Sequence, residues 1–345
     1  MVYIAIIGFG NIGSGVAELL SANSAKVADA LGDTVELKYI LDINVPVGSP
    51  YEKYFIKDFS VIENDPEVRI VVETIGGAGA AYEFTRRSLL KGKSVVTSNK
   101  ELVATHGAEL VSIARDTNSN YLFEASVGGG IPVLRPLAQC LQANEIEEVY
   151  GILNGTTNYI LTKMRSDGIR FEEALKQAQE KGYAEPNPES DISGKDTARK
   201  ICILAAMAFG RLLDPDKIPV KGIQSVTLDE VLEAEKQGGS VKLIGRAAKL
   251  PDGQIGISVE PVTVSRDNLL SDVNDVFNGI VVRGNAVGEV LFYGRGAGKL
   301  PTASAVIADV IDAAKHFHAR KRIYFEDGRN DAVGELPVWG NTINS

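Results

Sequence analysis

Three observations predict an α/β fold built on a doubly wound parallel sheet. A short β-branched run, Val2 to Ile7, ends on the turn Gly8-Phe9-Gly10-Asn11-Ile12-Gly13 and opens into a helical pattern. Apolar strand-like runs then alternate with helical stretches over about the first 130 residues, the signature of strand–helix–strand crossovers. Past Gly128-Gly129-Gly130 the character changes to glycine-interrupted strands of antiparallel type. The fold expected is a Rossmann-like doubly wound parallel sheet joined to an α+β domain.

Each element has its own justification. Val2 to Ile7 is apolar throughout, which suits a strand buried on both faces. VAELLSANSAKVADAL (16–31) carries helical periodicity, and Thr34 to Leu41 reads as a second strand ending on Asp42. RIVVET (69–74) and KSVVT (93–97) read as buried strands flanking the helix AAYEFTRRSLLKG (80–92), with NYLFE (120–124) as another. Val133 to Ala143 and Ile160 to Met164 look helical, with the strand Glu147 to Leu153 between them. GISVEPVTV (256–264) and GIVVRGNAVGEVLFYG (279–294) are strand-rich, and Thr302 to His318 is an amphipathic helix expected to return to the first domain. The expected boundaries are 1–130 for the first domain, completed by the returning helix over 302–323, then 131–301 for the second. Asp327 to Ser345 reads as a loosely held tail.

With 345 residues and 44% hydrophobic content, the chain can bury two sizeable cores. Its net charge of −9 argues against nucleic acid or an anionic membrane as the main partner. The N-terminus lacks a basic leader and no apolar run approaches the roughly 18 residues of a membrane span. Cys140 and Cys202 lie far apart in apolar settings and read as buried thiols of a reducing cytosol, so a cytoplasmic location is expected. His106, His316 and His318 show no ligand spacing and read as structural or surface residues.

The glycine turn carries the first chemistry. Gly8 permits a tight turn, Gly10 lets a pyrophosphate approach the backbone, and Gly13 allows close helix–strand packing. The helix N-terminus then stabilises phosphate charge. A purely structural glycine turn is the plain alternative. Asp42 closes the second strand, where a carboxylate accepts ribose hydroxyls and repels a 2′-phosphate. No arginine directly follows it, which favours NAD over NADP. Its distance from Gly13 is longer than usual, so an ordinary strand-end aspartate stays open.

A second polar cluster lies in GYAEPNPESDISGKDTARK (182–200), just before the apolar ICILAAMAFG. Asp196 and Lys200 stand four apart and share one face of a helix. They make a proton-handling pair, or else a surface ion pair worth about a few tenths of a kcal/mol. Three further segments are too polar or too glycine-rich for plain core: SNKELVATHG (98–107), FEASVGGGIPVLRPL (123–137) and NGTTNYILTKM (154–164).

Together these four segments resemble homoserine dehydrogenase, across Val2 to about His318, with NGTTNYIL and the 182–200 segment the most specific. The resemblance implies reversible interconversion of L-homoserine and L-aspartate 4-semialdehyde with NAD or NADP, in the pathway to threonine and methionine. It assigns the second domain to substrate binding and dimerisation, and implies a homodimer or a pair of dimers. Lys200 matches the family's proton donor and acceptor, and Asp196 the residue that binds substrate and orients it. Glu185 matches the carboxylate holding the substrate ammonium, with Asp191 as a further ammonium or supporting contact. Lys100 matches a second lysine serving nicotinamide and substrate; a surface lysine at a helix start is the alternative. Asn154 and Thr156 are implied to orient substrate or nicotinamide, a self-satisfied turn being the alternative. Phe9, Asn11, Ile12 and Gly182 correspond to cofactor contacts, with Thr74, Ser98 and Gly298 as further candidates.

EASVGGGI resembles the family's sodium loop, whose backbone carbonyls by position are those of Glu124, Val127, Gly129 and Ile131. A glycine hinge without an ion is the alternative. Longer family members append an ACT domain; the chain ends about 25 residues after its last expected helix, so no ACT-type threonine inhibition is expected. Two rival readings are an aspartate-semialdehyde dehydrogenase and a dinucleotide-binding sensor without turnover. The first needs a reactive cysteine, for which Cys140 and Cys202 offer poor settings. Retention of Lys100, Glu185, Asp196 and Lys200 argues against the second.

Overall fold

Strands β1 (Val2–Ile7), β2 (Val35–Leu41), β3 (Phe55–Ile56), β4 (Val68–Glu73), β5 (Ser94–Thr97) and β6 (Tyr121–Leu122) form one wholly parallel sheet. The computed structural model describes residues 1–319 and 323–339. They form two units, Met1–Ala138 with Ala297–Phe325, and Gln139–Gly296 with the segment from Glu326. In the first unit the strand order is β3-β2-β1-β4-β5-β6. The order reverses at β1, and crevices at the carboxyl ends beside such a reversal are where ligands collect.

The Val and Ile side chains of β1, β4 and β5 have essentially no exposure, because helices cover the sheet. These are α1 (Asn11–Ala22), α2 (Ser24–Leu31), α3 (Phe59–Asn64), α4 (Gly79–Leu90) and α5 (Lys100–Asp116), with the return helix Lys299–Lys315; the short α6 (Leu134–Gln139) ends the unit's first stretch of chain. The helix expected over 16–31 starts earlier, at Asn11, and breaks at Asn23, whose φ of −110° and ψ of 22° leave helical geometry. Asparagine competes for backbone hydrogen bonds and tolerates such breaks. The return helix begins at Lys299 rather than Thr302, because Pro301 in its first turn needs no N–H partner. It ends at Lys315, short of 318 and 323; residues 320–322 lie outside the described residues. It packs on α1 at Gly15, where an added Cβ would lie 2.8 Å from Lys299 Cγ. Val16, Leu20, Val306 and Val310 share this core with Ile4, Ile6 and Val72.

The second unit is an antiparallel sheet of β7 (Ile146–Ile152), β9 (Gly239–Lys249), β10 (Ile255–Ser265), β11 (Phe277–Gly284) and β12 (Gly288–Arg295), in the order β10-β9-β7-β11-β12. Helices α7 (Gly155–Asp167), α8 (Phe171–Glu180), α9 (Glu189–Ile192), α10 (Lys195–Phe209) and α11 (Leu228–Lys236) complete it. Gly245 of β9 lets α10 settle on the sheet, since a Cβ there would lie 2.9 Å from Thr197 Cγ2 and 3.2 Å from Ile201 Cβ. The other face carries Tyr150, Ile152, Ile244, Val264 and Val281, covered by Leu270, Val273 and Trp339.

Several expectations need correction. The unit boundaries fall at 138/139 and 296/297 instead of 130/131 and 301/302. The helix expected over 133–143 shortens to α6, and the strand over 120–124 to β6 followed by a single turn of 3₁₀ helix, Glu124–Ser126. The segment expected to be a loose tail is docked through Trp339. Glu326–Asp327, which we number β13, pairs with β8 (Arg211–Leu212), and Arg211 makes paired hydrogen bonds to Asp331 at 2.6–2.9 Å. Gly334 bridges to Gly256, and the Pro337 carbonyl accepts Arg246 Nη1 at 2.7 Å. Residues 340–345 lie outside the described residues. Cys140 is exposed, whereas Cys202 is buried in α10.

Candidate active site

In the first unit the site is built where β1 and β4 end. Gly8 has φ +90°, and a Cβ on it would lie 2.9 Å from the Thr74 carbonyl carbon. A Cβ on Gly13 would lie 2.0 Å from the Gly8 carbonyl oxygen. Both positions therefore require glycine for the fold itself. Gly10 differs: nothing lies within 4 Å of an added Cβ, so its face is open to a ligand. As N-cap of α1 it offers no side-chain cap, which leaves the first N–H groups of the helix facing outward. Asn11 is exposed and Ile12 half-buried there. Thr74 Oγ1 donates to the Gly8 carbonyl at 2.7 Å and pins the turn.

Asp42 reaches this turn despite its distance in sequence: Phe9 N donates to Asp42 Oδ2 at 2.5 Å, and Asn44 N to Oδ1 at 2.8 Å. Phe9 packs edge-on against Phe55, 5.1 Å between centroids. Gly298 caps the return helix with φ 120°, adjoining the Lys299–Gly15 contact.

Next to the turn, Glu73 ends β4 with no exposure. It accepts Thr97 Oγ1 at 2.6 Å and Ile75 N at 2.7 Å, while burial pushes its carboxyl above the ordinary range. Asn99 caps α5 through Leu102 N at 3.1 Å and donates to the Gly77 carbonyl at 2.6 Å. Half-buried Ser98 and Lys100 flank that cap, so the first turn of α5 is locked to the loop after β4.

The 124–131 loop is also tightly built. The Glu124 carboxylate accepts Val133, Leu134 and Arg135 N–H at 2.6–2.7 Å and thereby caps α6. Glu124 N donates to Asp309 Oδ2 at 2.9 Å. Burial and the neighbouring Glu124 push Asp309 up to about 7, with Arg135 opposing. Val127, Gly129 and Ile131 are buried, and their carbonyls accept no hydrogen bond among the described residues.

In the second unit, α10 places Asp196 and Lys200 on one face, and Lys200 Nζ donates to Asp196 Oδ2 at 2.7 Å. The same Nζ donates to the Leu153 carbonyl at 2.8 Å, so the amine is fixed between a helix and a strand end. Asp196 lies in the first turn of α10, where the helix dipole favours a carboxylate. Asn154, the N-cap of α7, donates from Nδ2 to Asp191 Oδ1 and to Asp196 Oδ2, both at 2.8 Å. Its Oδ1 accepts Thr157 N at 2.9 Å. Asn154, Asp191, Asp196 and Lys200 are thus one hydrogen-bonded cluster. Asp196 and Lys200 are 3% and 9% exposed, which removes the surface ion-pair reading.

Thr156 Oγ1 donates to the Tyr183 carbonyl at 2.7 Å, tethering the 182–185 segment. Gly182 there has φ +73° and is exposed. Glu185 is exposed, with its carbonyl accepting Gln179 Nε2 at 3.2 Å; its carboxylate is not brought into the cluster. Cys202, two residues past Lys200, is wholly buried and its thiol is pushed far up, which is the setting of an inert cysteine.

Leu153 and Glu73 were not singled out in the sequence. Leu153 acts through a carbonyl that every residue possesses, so no sequence signal exists for it. An acid closing the apolar run RIVVE was the available sign of Glu73.

Family models match both units: one described as homoserine dehydrogenase, NAD binding domain, over residues 8–124, and one described as homoserine dehydrogenase over residues 132–311. The homoserine dehydrogenase of Bacillus subtilis strain 168 is 39% identical over 318 residues, 91% of this chain and 73% of the relative. The crystal structure of a homoserine dehydrogenase from Thiobacillus denitrificans superposes with a TM-score of 0.87 at 35% identity, covering 97% of this chain and 79% of that one. A hyperthermophilic archaeal homoserine dehydrogenase in complex with NADPH gives a TM-score of 0.76 at 28% identity, covering 90% and 97%. With a nucleotide-binding sheet in one unit and a buried lysine–carboxylate cluster in the other, the chain belongs to the homoserine dehydrogenase family, oxidoreductases with an NAD(P)-binding domain.

Proposed function

We propose that this chain catalyses the reversible oxidation of L-homoserine to L-aspartate 4-semialdehyde, on the route to threonine and methionine, with Lys200 as the proton carrier. The observation that carries the reading is the fixing of Lys200 Nζ between the Leu153 carbonyl and Asp196. The nicotinamide cofactor, when bound, supplies hydride acceptance or donation. Moving the proton falls to the protein. Oxidation of the carbinol carbon releases the hydroxyl proton, which Lys200 Nζ takes, and reduction returns it from the same atom. Asp196 aims the amine. Asn154 works through the carboxylates, holding Asp191 and Asp196 on one amide so that both face the amino end of the substrate. Glu185, on the exposed side, takes the substrate ammonium, and Thr156 sets the segment that bears it. Lys100, at the start of α5, holds the substrate carboxylate or supports proton transfer.

Gly8 to Gly13, Asp42, Thr74, Ser98, Gly182 and Gly298 hold the cofactor. The open face of Gly10 and the uncapped start of α1 fit a pyrophosphate. Asp42 favours NAD, since its carboxylate would repel a 2′-phosphate. The buried carbonyls of Val127, Gly129 and Ile131, with that of Glu124, fit a sodium ion, whose hard charge would satisfy them. We assign the protein to the cytoplasm as a homodimer or dimer of dimers; no helix among the described residues is long and apolar enough to cross a membrane.

The test is an assay at 340 nm with L-homoserine and either NAD or NADP. Homoserine-dependent reduction with the higher kcat/KM for NAD is expected, and none with either cofactor would refute the reading. Lys200→Ala should lower kcat by about 10²–10⁴-fold while cofactor affinity stays within error. An unchanged kcat would remove Lys200 from proton transfer.

A further inference from the structure

Asn278 opens a question that the residues above do not answer. It is 1% exposed in β11, yet among the described residues its Nδ2 donates to nothing and its Oδ1 accepts nothing. Burying one donor and one acceptor unpaired destabilises a fold, and substituting an apolar side chain of similar shape would relieve it. Both atoms are therefore open to a partner in another state of the molecule.

Its neighbours say which state. β7 and β11 are paired through Gly279 and Ile152; Asn278 is the next residue of β11, and Leu153 follows the end of β7. Leu153 carries the carbonyl that fixes Lys200. Phe277, just before, accepts Asn158 Nδ2 at 3.1 Å, so this end of β11 runs along the start of α7. On its other side Asn278 pairs with Gly294 of β12. The side-chain amide lies beneath Gly296, where an added Cβ would stand 1.8 Å from Oδ1 and 2.2 Å from Cγ. Gly296 is one residue past β12 and outside its ladder. At 1% exposure the amide is closed off from bulk solvent, and the backbone of Gly296 lies directly against it. Gly296, just past the ladder that ends at Arg295, is not held by strand pairing, and its backbone N–H and C=O are the complement of Oδ1 and Nδ2.

We propose that Asn278 is a positioning residue that fastens the Gly294–Gly296 segment when ligands bind, its amide then pairing with the backbone of that segment. The segment leads into Gly298 of the proposed cofactor set, and just past the strand on the other flank stands the Leu153 carbonyl that holds Lys200 Nζ. Asn278 thereby sets the loop in register with the proton carrier. This deepens the reading above and rests on it for the choice of ligands.

The experiment is amide hydrogen exchange on the full chain, alone and with NADPH plus L-homoserine, which are both reduced and cannot react together. Exchange at 295–297 should slow roughly tenfold or more with the pair present. Asn278→Leu should abolish that slowing and raise KM for homoserine roughly tenfold, with the ligand-free Tm unchanged or higher. If Asn278→Leu fails to fold, Asn278→Ser gives the same comparison. A ligand-free Tm that falls in Asn278→Leu, with KM unchanged, would mean the amide is already paired in the free enzyme and would overturn the proposal. So would wild-type exchange at 295–297 that ignores the ligands while turnover is intact. Absence of homoserine turnover altogether would instead sink the functional reading.

Discussion

Lys242 shows how a single side chain can set the pH response of this protein. It lies within β9 at 1% exposure and donates from Nζ to the Val273 carbonyl at 2.5 Å, Asn274 Oδ1 at 3.1 Å and Asn158 Oδ1 at 3.2 Å. Burial, and then the charge of Arg165, lower its pKa to about 7, opposed by Asp272 and Asp275. In the unfolded chain the same amine titrates near about 10.4. Between these values the unfolded chain holds a proton that the folded chain sheds, so stability rises with pH across that window. For one proton the limiting slope is about 1.4 kcal/mol per pH unit. Below about 7 both states are charged and the fold carries the full burden of the buried ammonium. In Lys242→Met that slope disappears, while the three lost hydrogen bonds set a constant offset. Urea unfolding of both proteins at pH 7, 8 and 9 should show the wild type gaining on the variant as pH rises. Parallel pH dependences would show that Lys242 does not titrate in this window.

The glycine turn before α1 offers a comparison at the scale of one element. Gly13→Ala brings a Cβ within 2.0 Å of the Gly8 carbonyl, which neither β1 nor α1 can yield without moving apart. Overpacking of this kind costs about 1–3 kcal/mol or more. Gly10→Ala meets nothing within 4 Å and should leave Tm within about 2 °C, a surface effect of a few tenths of a kcal/mol. Its methyl stands where the pyrophosphate would lie, so cofactor affinity should fall roughly tenfold or more. Thermal melts and titration of reduced-cofactor fluorescence separate the two; a Gly10→Ala protein that binds normally would move the pyrophosphate elsewhere. These glycines were legible because turn, strand and helix are contiguous in sequence. Asp196 and Lys200 were legible for the same reason, being one helical turn apart. β9 was not, because Lys242, Gly245 and Arg246 interrupt its apolar pattern, and their partners come from α7, α10 and β7. Helix α5 is equally faint in the sequence, although Val103, Gly107, Leu110, Val111 and Ala114 line its buried face. Gly107 and the Thr105-His106 pair weaken its local propensity, and packing decides. Leu153 and Asn278 depend on which strand lies beside which, a non-local fact that no single-strand pattern encodes.

For the molecule as a whole, the C-terminal segment turns out to be part of the second unit's architecture. Trp339, the only tryptophan in the chain, packs edge-on against Tyr150 at 5.3 Å and under the Arg246 guanidinium at 5.6 Å. Arg246 is itself held by the fully buried Glu148, which also forms an ion pair with Arg283, Oε2 to Nη2 at 2.7 Å. The segment therefore closes a buried charge cluster on one face of the antiparallel sheet, and removing one partner of such a cluster leaves the others destabilising. Trp339→Ala should lower the stability of this unit by about 1–3 kcal/mol, from the aromatic pair and the cation–π contact. Truncation after Phe325 should cost more, since it also removes Asp331 from Arg211 and the Pro337 carbonyl from Arg246. The first unit contains none of these residues, so its glycine turn should still bind reduced cofactor in the truncated protein. Tryptophan emission during urea unfolding reads the docking of the segment directly, and homoserine turnover reads the Lys200 cluster of the same unit. Coincident loss of the two in the wild type, with an earlier loss of turnover after truncation, would establish the segment as a structural part of the catalytic unit. Emission lost well before turnover would show instead that the sheet holds the Lys200 cluster without it.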